Sequence, residues 1–300
     1  MFKTLSLAFV GLMSAGAVVG QMKKQISVDD QEACESINLS LKAKTGNCII
    51  RPGQTSELLT IYSNQDLGEF SHVFSNEVKG SVCFIKLALE QEGQQRGVSK
   101  KISYQVFGGG EEHNTDKFWK VFLTDAKPYS LNLDYGLGNA NIDLSGIAVK
   151  KLKINTGSAD VNVSYATGVE NKVEMDTFFV KVDLGSLNVK HINLARSKVF
   201  MAEVGFGNVY LDFGSKPEII PVVKGSVGAG NMVITLPDES VPVLVKINES
   251  WLCSINLSKN LKKIADNRYA NPAYTRNPKN ALVFDLDVSM GKIIFKEKLN

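Results

Sequence analysis

Five aspartates, Asp134, Asp143, Asp160, Asp183 and Asp212, recur near the ends of predicted strands. Carboxylates grouped on one face of a repeat-built β protein are what polysaccharide hydrolases and lyases use as acid, base or nucleophile. Each of these five sits beside a turn or a strand edge, where a solvated charge also blocks edge-to-edge aggregation, and that plainer role is the expectation for all of them. The three histidines, His72, His113 and His191, share no motif with a serine or cysteine. Gly225-Ser226-Val227-Gly228 is one residue short of the Gly-x-Ser-x-Gly elbow that exposes a nucleophilic serine. Gly108-Gly109-Gly110 would cradle a phosphate only if Gly-Lys-Ser/Thr and a helix followed, and neither does. The sequence therefore assigns no catalytic, cofactor-binding or metal-ligating residue.

What must position these groups is a repeated turn. Gly136-Leu137-Gly138-Asn139 is followed by Gly157-Ser158-Ala159-Asp160, Gly185-Ser186-Leu187-Asn188, Gly205-Phe206-Gly207-Asn208 and Gly228-Ala229-Gly230-Asn231, with last residues 21, 28, 20 and 23 positions apart. Apolar residues alternate on either side, as in Leu131, Leu133, Tyr135 and Val209, Leu211, Phe213. Alternation marks half-buried strands, and Gly with Asn or Asp supplies the positive φ of a tight turn. Shorter breaks at Ser145-Gly146 and Ala166-Thr167-Gly168 divide each unit into two strands. Such units suit a flattened β-solenoid in which each coil covers the open face of the last, with caps at both ends. An antiparallel meander of hairpins fits the same spacing, but the identical placement of the turns favours stacking. The Asp-bearing turns resemble those of the calcium β-roll. That motif needs a nine-residue tandem period to aim carboxylates at one ion, so these Asn and Asp residues are read as turn formers.

The chain divides into three expected parts: a signal peptide at 1–20, an N-terminal β lobe at 21–124, and a repeat β domain with a C-terminal cap at 125–300. Lys3 precedes the apolar run 5–19, and the small residues Ala15, Gly16 and Ala17 lead to a cleavage point between Gly20 and Gln21. The run is shorter than the ~20 residues a spanning helix needs, so no stable transmembrane segment is expected after cleavage. The mature protein is expected in the periplasm, at the cell surface or outside the cell. Alternation over 37–41, a turn at 45–47, a continuation over 48–50 and a break at 51–53 are expected, then strands over 58–62, 82–89 and 102–107, with 118–123 opening the second region. One short helix is expected over 258–265, and the Asn271-Pro272 and Asn277-Pro278 pairs flank an expected loop. Cys34, Cys48, Cys83 and Cys253 lack CxxC spacing, and an oxidising compartment permits pairing. Cys48 and Cys83 occupy similar places after a turn, as though stacked on neighbouring strands, or are simply small buried hydrophobes; the pairing stays open. The 34 basic and 31 acidic residues give a net charge of +3 with no basic block, so nucleic acid is not an expected partner.

From Trp119-Lys120-Val121-Phe122-Leu123, through Leu131-Asn132-Leu133-Asp134-Tyr135-Gly136-Leu137-Gly138 and Ile142-Asp143-Leu144-Ser145-Gly146, to Leu152-Lys153-Ile154-Asn155-Thr156-Gly157-Ser158-Ala159-Asp160-Val161, the chain resembles the bacterial toast-rack domains. These are adhesin-like β domains also found in cell-envelope stress-response proteins. The third turn departs from the usual pattern at Gly185-Ser186-Leu187, and His191 and Asn193 interrupt the alternation. The resemblance implies an all-β toast-rack fold and no agreed catalytic residues. The expectation is an exported, non-catalytic envelope or surface module that binds or scaffolds through extended β faces, with an envelope or surface protein or glycan as partner. The alternatives are a β-solenoid carbohydrate-active enzyme and an envelope-stress regulatory partner of a membrane protein.

Overall fold

The computed structural model describes residues 23–64, 72–89, 118–248 and 250–298. The expected signal segment, the glycine triplet at 108–110, His113 and the strand expected over 102–107 lie outside the described residues. In chain order the strands are β1 (Lys23–Asp29), β2 (Ser36–Pro52), β3 (Glu57–Ser63), β4 (His72–Lys79), β5 (Val82–Leu89), β6 (Phe118–Leu123), β7 (Tyr129–Asp143) and β8 (Val149–Ser164). They continue as β9 (Met175–Lys190), β10 (Ser197–Asp212), β11 (Val222–Thr235), β12 (Val243–Asn248), β13 (Cys253–Asn256), β14 (Lys262–Ala265), β15 (Arg268–Ala270) and β16 (Leu282–Lys296). One short helix, α1 (Pro272–Arg276), interrupts them near the end.

The long strands β2, β7, β8, β9, β10, β11 and β16 lie side by side in that order, and every neighbouring pair is parallel. The parallel register makes the stack a solenoid and rules out the meander. Within each long strand the inside–outside alternation flips at the midpoint. In β7, Leu131, Leu133 and Tyr135 are buried before the flip, and Ala140 and Ile142 after it. A one-residue shift of parity moves a strand's apolar set to its other face, so the strand folds there and both halves turn the same side inward. The halves meet closely: a Cβ at Gly225, before the bend of β11, would lie 2.5 Å from the terminal methyl of Met232 after it. A continuous buried core running from Val28 to Phe295 results. Phe178 and Phe200 stack edge to face inside it at 5.0 Å, worth about 1 kcal/mol beyond their area.

A column of glycines makes the bend. Gly46, Gly138, Gly185, Gly207, Gly230 and Gly291 all have positive φ, from 111° to 146°. A Cβ at Gly207 would sit 1.6 Å from the carbonyl oxygen of Gly185, and one at Gly230 1.6 Å from that of Gly207. Only β8 departs, with Ala159 in the column between Gly138 and Gly185. The third turn of the sequence reading is corrected by this register. Asp183 takes the first glycine's place, so the bend is Asp183-Leu184-Gly185-Ser186, and Ser186 rather than Asn188 stacks with Asp160 and Asn208. The interval from Asp160 is then 26 residues.

Both ends of the stack are covered. β5, paired antiparallel with β4, lies along the first half of β2, while β6, β3 and β1 follow its second half. At the far end β12 and β13 cover the two halves of β16, with β15 and β14 beyond. A disulfide joins Cys34 to Cys83 across 49 residues, a closure worth about 4 kcal/mol in the chain-entropy account. Cys48 does not stack on Cys83. It lies in the second half of β2 opposite Trp119, a buried thiol whose pKa desolvation pushes up to about 12. Cys253 lies half-buried on β13. The helix expected over 258–265 is also corrected: Leu261 is buried but Ile264 is 48% exposed, so the two share no buried helical face, and Lys262–Ala265 forms β14. The helix lies instead where a loop was expected, with Asn271 accepting the backbone N–H of Tyr274 at 3.0 Å and Pro272 in the first turn.

Candidate functional site

The five aspartates are spread along the stack, and each is engaged locally. Asp143 accepts the backbone N–H of Ser145 at 3.0 Å and also its hydroxyl. Asp212 accepts the N–H of Gly214 at 2.9 Å, and Asp160 that of Ser186 on the next rung at 2.9 Å. Asp134 lies 4.0 Å from Lys42, and Asp183 lies 3.9 Å from Lys181. These are the bonds of turn-forming and edge residues, with carboxylate oxygens standing in for missing backbone partners. His72 lies in β4, and His191 directly follows β9. Among the described residues no group of three His, Cys, Asp or Glu side chains could hold a metal ion.

At the bend edge the apex residues are Leu137, Ser158, Leu184, Phe206, Ala229 and Met290, in register across the rungs. Pinched between bend residues, an apex side chain has nowhere to go but outward. Leu184 is 52% exposed, Phe206 63% and Met290 50%. The N–H of Gly291 donates to the carbonyl of Leu252 at 3.2 Å, which carries this apolar crest on to Trp251, 91% exposed. The bulky residue between the turn glycines was its signal in the sequence. Just past the crest run amide ladders. Asn139 donates to Asn47 at 3.2 Å and Asn231 to Asn208 at 2.9 Å. Two residues further on, Asn162 donates to Asn141 at 3.2 Å and Asn188 to Asn162 at 3.3 Å.

The opposite edge, where each strand returns to the next, holds a cleft of about 1040 Å³. Its floor is the outer side of the second halves of β9, β10, β11 and β16, contributing Asn188, Lys190, Tyr210, Asp212, Thr235 and Lys296. Thr167 and Gly168 wall one side, and Leu257, Ser258 and Lys259 another. A 3-10 turn, Ile192–Ala195, forms the third wall, bracketed by His191 and Arg196 in left-handed conformation. The His191 Nδ1 lies 2.7 Å from the carbonyl oxygen of Tyr165, which can only accept, so Nδ1 carries the proton. Asn193 is buried in the wall and donates to the Ser215 hydroxyl at 3.0 Å. Among the described residues its Oδ1, and the Oγ of buried Ser258, have no hydrogen-bond partner.

Two asparagines that sequence reasoning passed over hold the return connections. Asn171, fully buried, accepts the N–H of Val149 at 2.8 Å and donates to the carbonyls of Val149 and Val173, both at 2.7 Å, and of Ala195 at 3.2 Å. Asn271 repeats the device, accepting the N–H of Val243 at 3.0 Å and donating to the carbonyl of Val241 at 2.7 Å. A lone Asn in a polar stretch gives no sequence signal for this, because the partners are distant backbone groups. The bond from Asn171 to Ala195 ties down the end of the 3-10 turn that walls the cleft, and the cleft presents amide, hydroxyl, ammonium and phenol groups to a ligand.

No curated protein matches the sequence. Among solved structures, a "putative cell adhesion protein" from Clostridium sporogenes is similar at 16% identity and a TM-score of 0.42, over 93% of this chain and 100% of that one. A "putative adhesin" from Bacteroides fragilis is similar at 12% identity and a TM-score of 0.33, over 92% and 97% of the two chains. A family model, the N-terminal domain of toast_rack, matches residues 18–185. That match covers more than half of the 300 residues and runs through the bent strands β2, β7 and β8 to the bend of β9 at Gly185, so the chain belongs to the toast-rack family.

Proposed function

We propose that this protein is an exported, non-catalytic module of the cell envelope or cell surface that binds its partner through the extended outer faces of the stack. The observation that carries the reading is the division of labour among polar groups. The five carboxylates are each engaged in a local turn bond or an edge ion pair. The ladder amides and the cleft residues other than Asp212 instead stand at successive rungs about 4.8 Å apart, a spacing suited to a partner held by many small contacts. Lys3 with its apolar run supports export, and the Cys34–Cys83 disulfide supports an oxidising compartment. Among the described residues no helix is long and apolar enough to cross a membrane. Domain boundaries at 20/21 and 124/125 are part of the proposal, with both later segments contributing strands to one sheet. The test takes Asp134→Asn, Asp160→Asn, Asp183→Asn and His191→Ala singly, each confirmed folded, and assays binding to envelope fractions together with turnover of a polysaccharide panel. Binding should survive each change. Turnover abolished by one folded variant would replace the binding module with an enzyme.

A further inference from the structure

Building on the binding-module reading, we infer that the return-edge cleft is a site for an acidic oligosaccharide, a glycan carrying carboxylates on successive sugars. The wall supplies the first reason. Asn193 and Ser258 border the same cleft and are more than nine-tenths buried, and among the described residues the Oδ1 of one and the Oγ of the other lack partners. A buried polar atom without a partner is costly, and the Asn oxygen can only accept, so a wall that yields to admit a donor such as a sugar hydroxyl beside it relieves that cost.

The floor supplies the second. Tyr210 is 43% exposed and stands in register with Asn188 on one side and Val233 on the other. An aromatic flanked by an amide and an apolar side chain suits a pyranose ring, whose faces are apolar and whose rim is all hydroxyl. The volume of about 1040 Å³ lies at the upper end of small-ligand sites and holds several rings rather than one.

Charge sets the class. Lys190, Lys259, Lys296 and Lys298 face Asp212 and Glu297 around the cleft, leaving an excess of positive charge. Lys190 closes β9 and Lys296 closes β16, three strand spacings apart, roughly 14 Å. Lysines rooted that far apart suit charges repeated along an extended chain better than one compact phosphate, which favours a clustered or bidentate grip.

The experiment is calorimetric titration of the mature protein at low salt with hexagalacturonate, a hyaluronan hexasaccharide and oligosialic acid. Fully methyl-esterified hexagalacturonate serves as the uncharged match of the first. The expected result is binding of at least one acidic probe, with the ester of hexagalacturonate, where that is the ligand, at least about tenfold weaker. Lys190→Glu with Lys296→Glu should abolish binding, and Tyr210→Ala should weaken it at least about tenfold, while Phe206→Ser on the bend edge should leave it unchanged. No saturable binding of any acidic probe, equal binding of acid and ester, or binding that survives both cleft variants would overturn the inference. The module reading is judged separately: if envelope fractions still bind and multiple face substitutions abolish that binding, it stands although the cleft assignment falls.

Discussion

Along the bend edge every rung turns on the same short stretch of backbone, whereas along the return edge the connections 144–148, 165–174, 191–196, 213–221 and 236–281 differ in length and content. Both edges are made by the same strands. At the bend, carbonyl oxygens of one rung occupy the space a Cβ of the next would need at most of the column, so the geometry is steric and repeats rung after rung, with Ala159 of β8 the departure. At the return, side-chain hydrogen bonds from Asn171 and Asn271 secure the connections 165–174 and 236–281 individually, and insertions are absorbed by lengthening a loop. One edge sets register and the other carries variety. Loops on a rigid scaffold are where binding residues collect, and the cleft lies on that edge.

The contrast can be broken most forcefully at Gly207. Gly207→Val places a branched side chain at φ 146° and within 1.6 Å of a carbonyl oxygen, and should cost at least about 3 kcal/mol in a urea melt, with loss of cooperative folding as the extreme outcome. Next comes Asn171→Ala, which strands one backbone N–H and several carbonyls and should cost roughly 2–4 kcal/mol. A smaller loss there would mean that the return connections hold themselves. Gly168→Ala sharpens the comparison from the other side. Its φ is +75° but no described residue lies near the added carbon, so only the backbone penalty of about 1 kcal/mol is expected. Equal losses at Gly168 and Gly207 would remove the steric distinction between the edges. Smallest of all, Ser186→Ala should shift stability by no more than about 0.5 kcal/mol. Chelator should leave the same melt where it was, since Asp160 acts on the backbone of Ser186.

The bend edge was legible in the sequence because its demands fall on single residues: glycine at positive φ and alternating apolar neighbours can be read without knowing what they touch. Even there Asp183 and Gly185 misled, because a rung that replaces the first glycine slides the apparent repeat by two residues. Cys34 and Cys83 could not be paired from spacing, since the strand order that brings β5 onto β2 is a long-range fact. The cleft as a site was not legible. Tyr210, Lys190 and Lys296 come from separate rungs, and their convergence depends on which strands are neighbours. His191 and Asn193 did announce themselves as breaks in alternation, and they sit at the cleft's rim and wall. The helix was misplaced for a local reason: Ser258 looked like a cap, while the Asn271-Pro272 pair that does start a helix read as a loop boundary.

The most direct test of the account compares three folded proteins for binding to intact cells and envelope fractions: the wild type, a variant carrying Lys190→Glu, Tyr210→Ala and Lys296→Glu together, and one carrying Leu184→Ser and Phe206→Ser on the bend edge. Labelled protein is titrated and saturation read by fluorescence, with polysaccharide turnover followed in the same samples. The account predicts saturable binding by wild type and the bend-edge variant, loss of binding in the return-edge variant, and no turnover by any of the three. Undiminished binding by the return-edge variant, or turnover by the wild type, would contradict it.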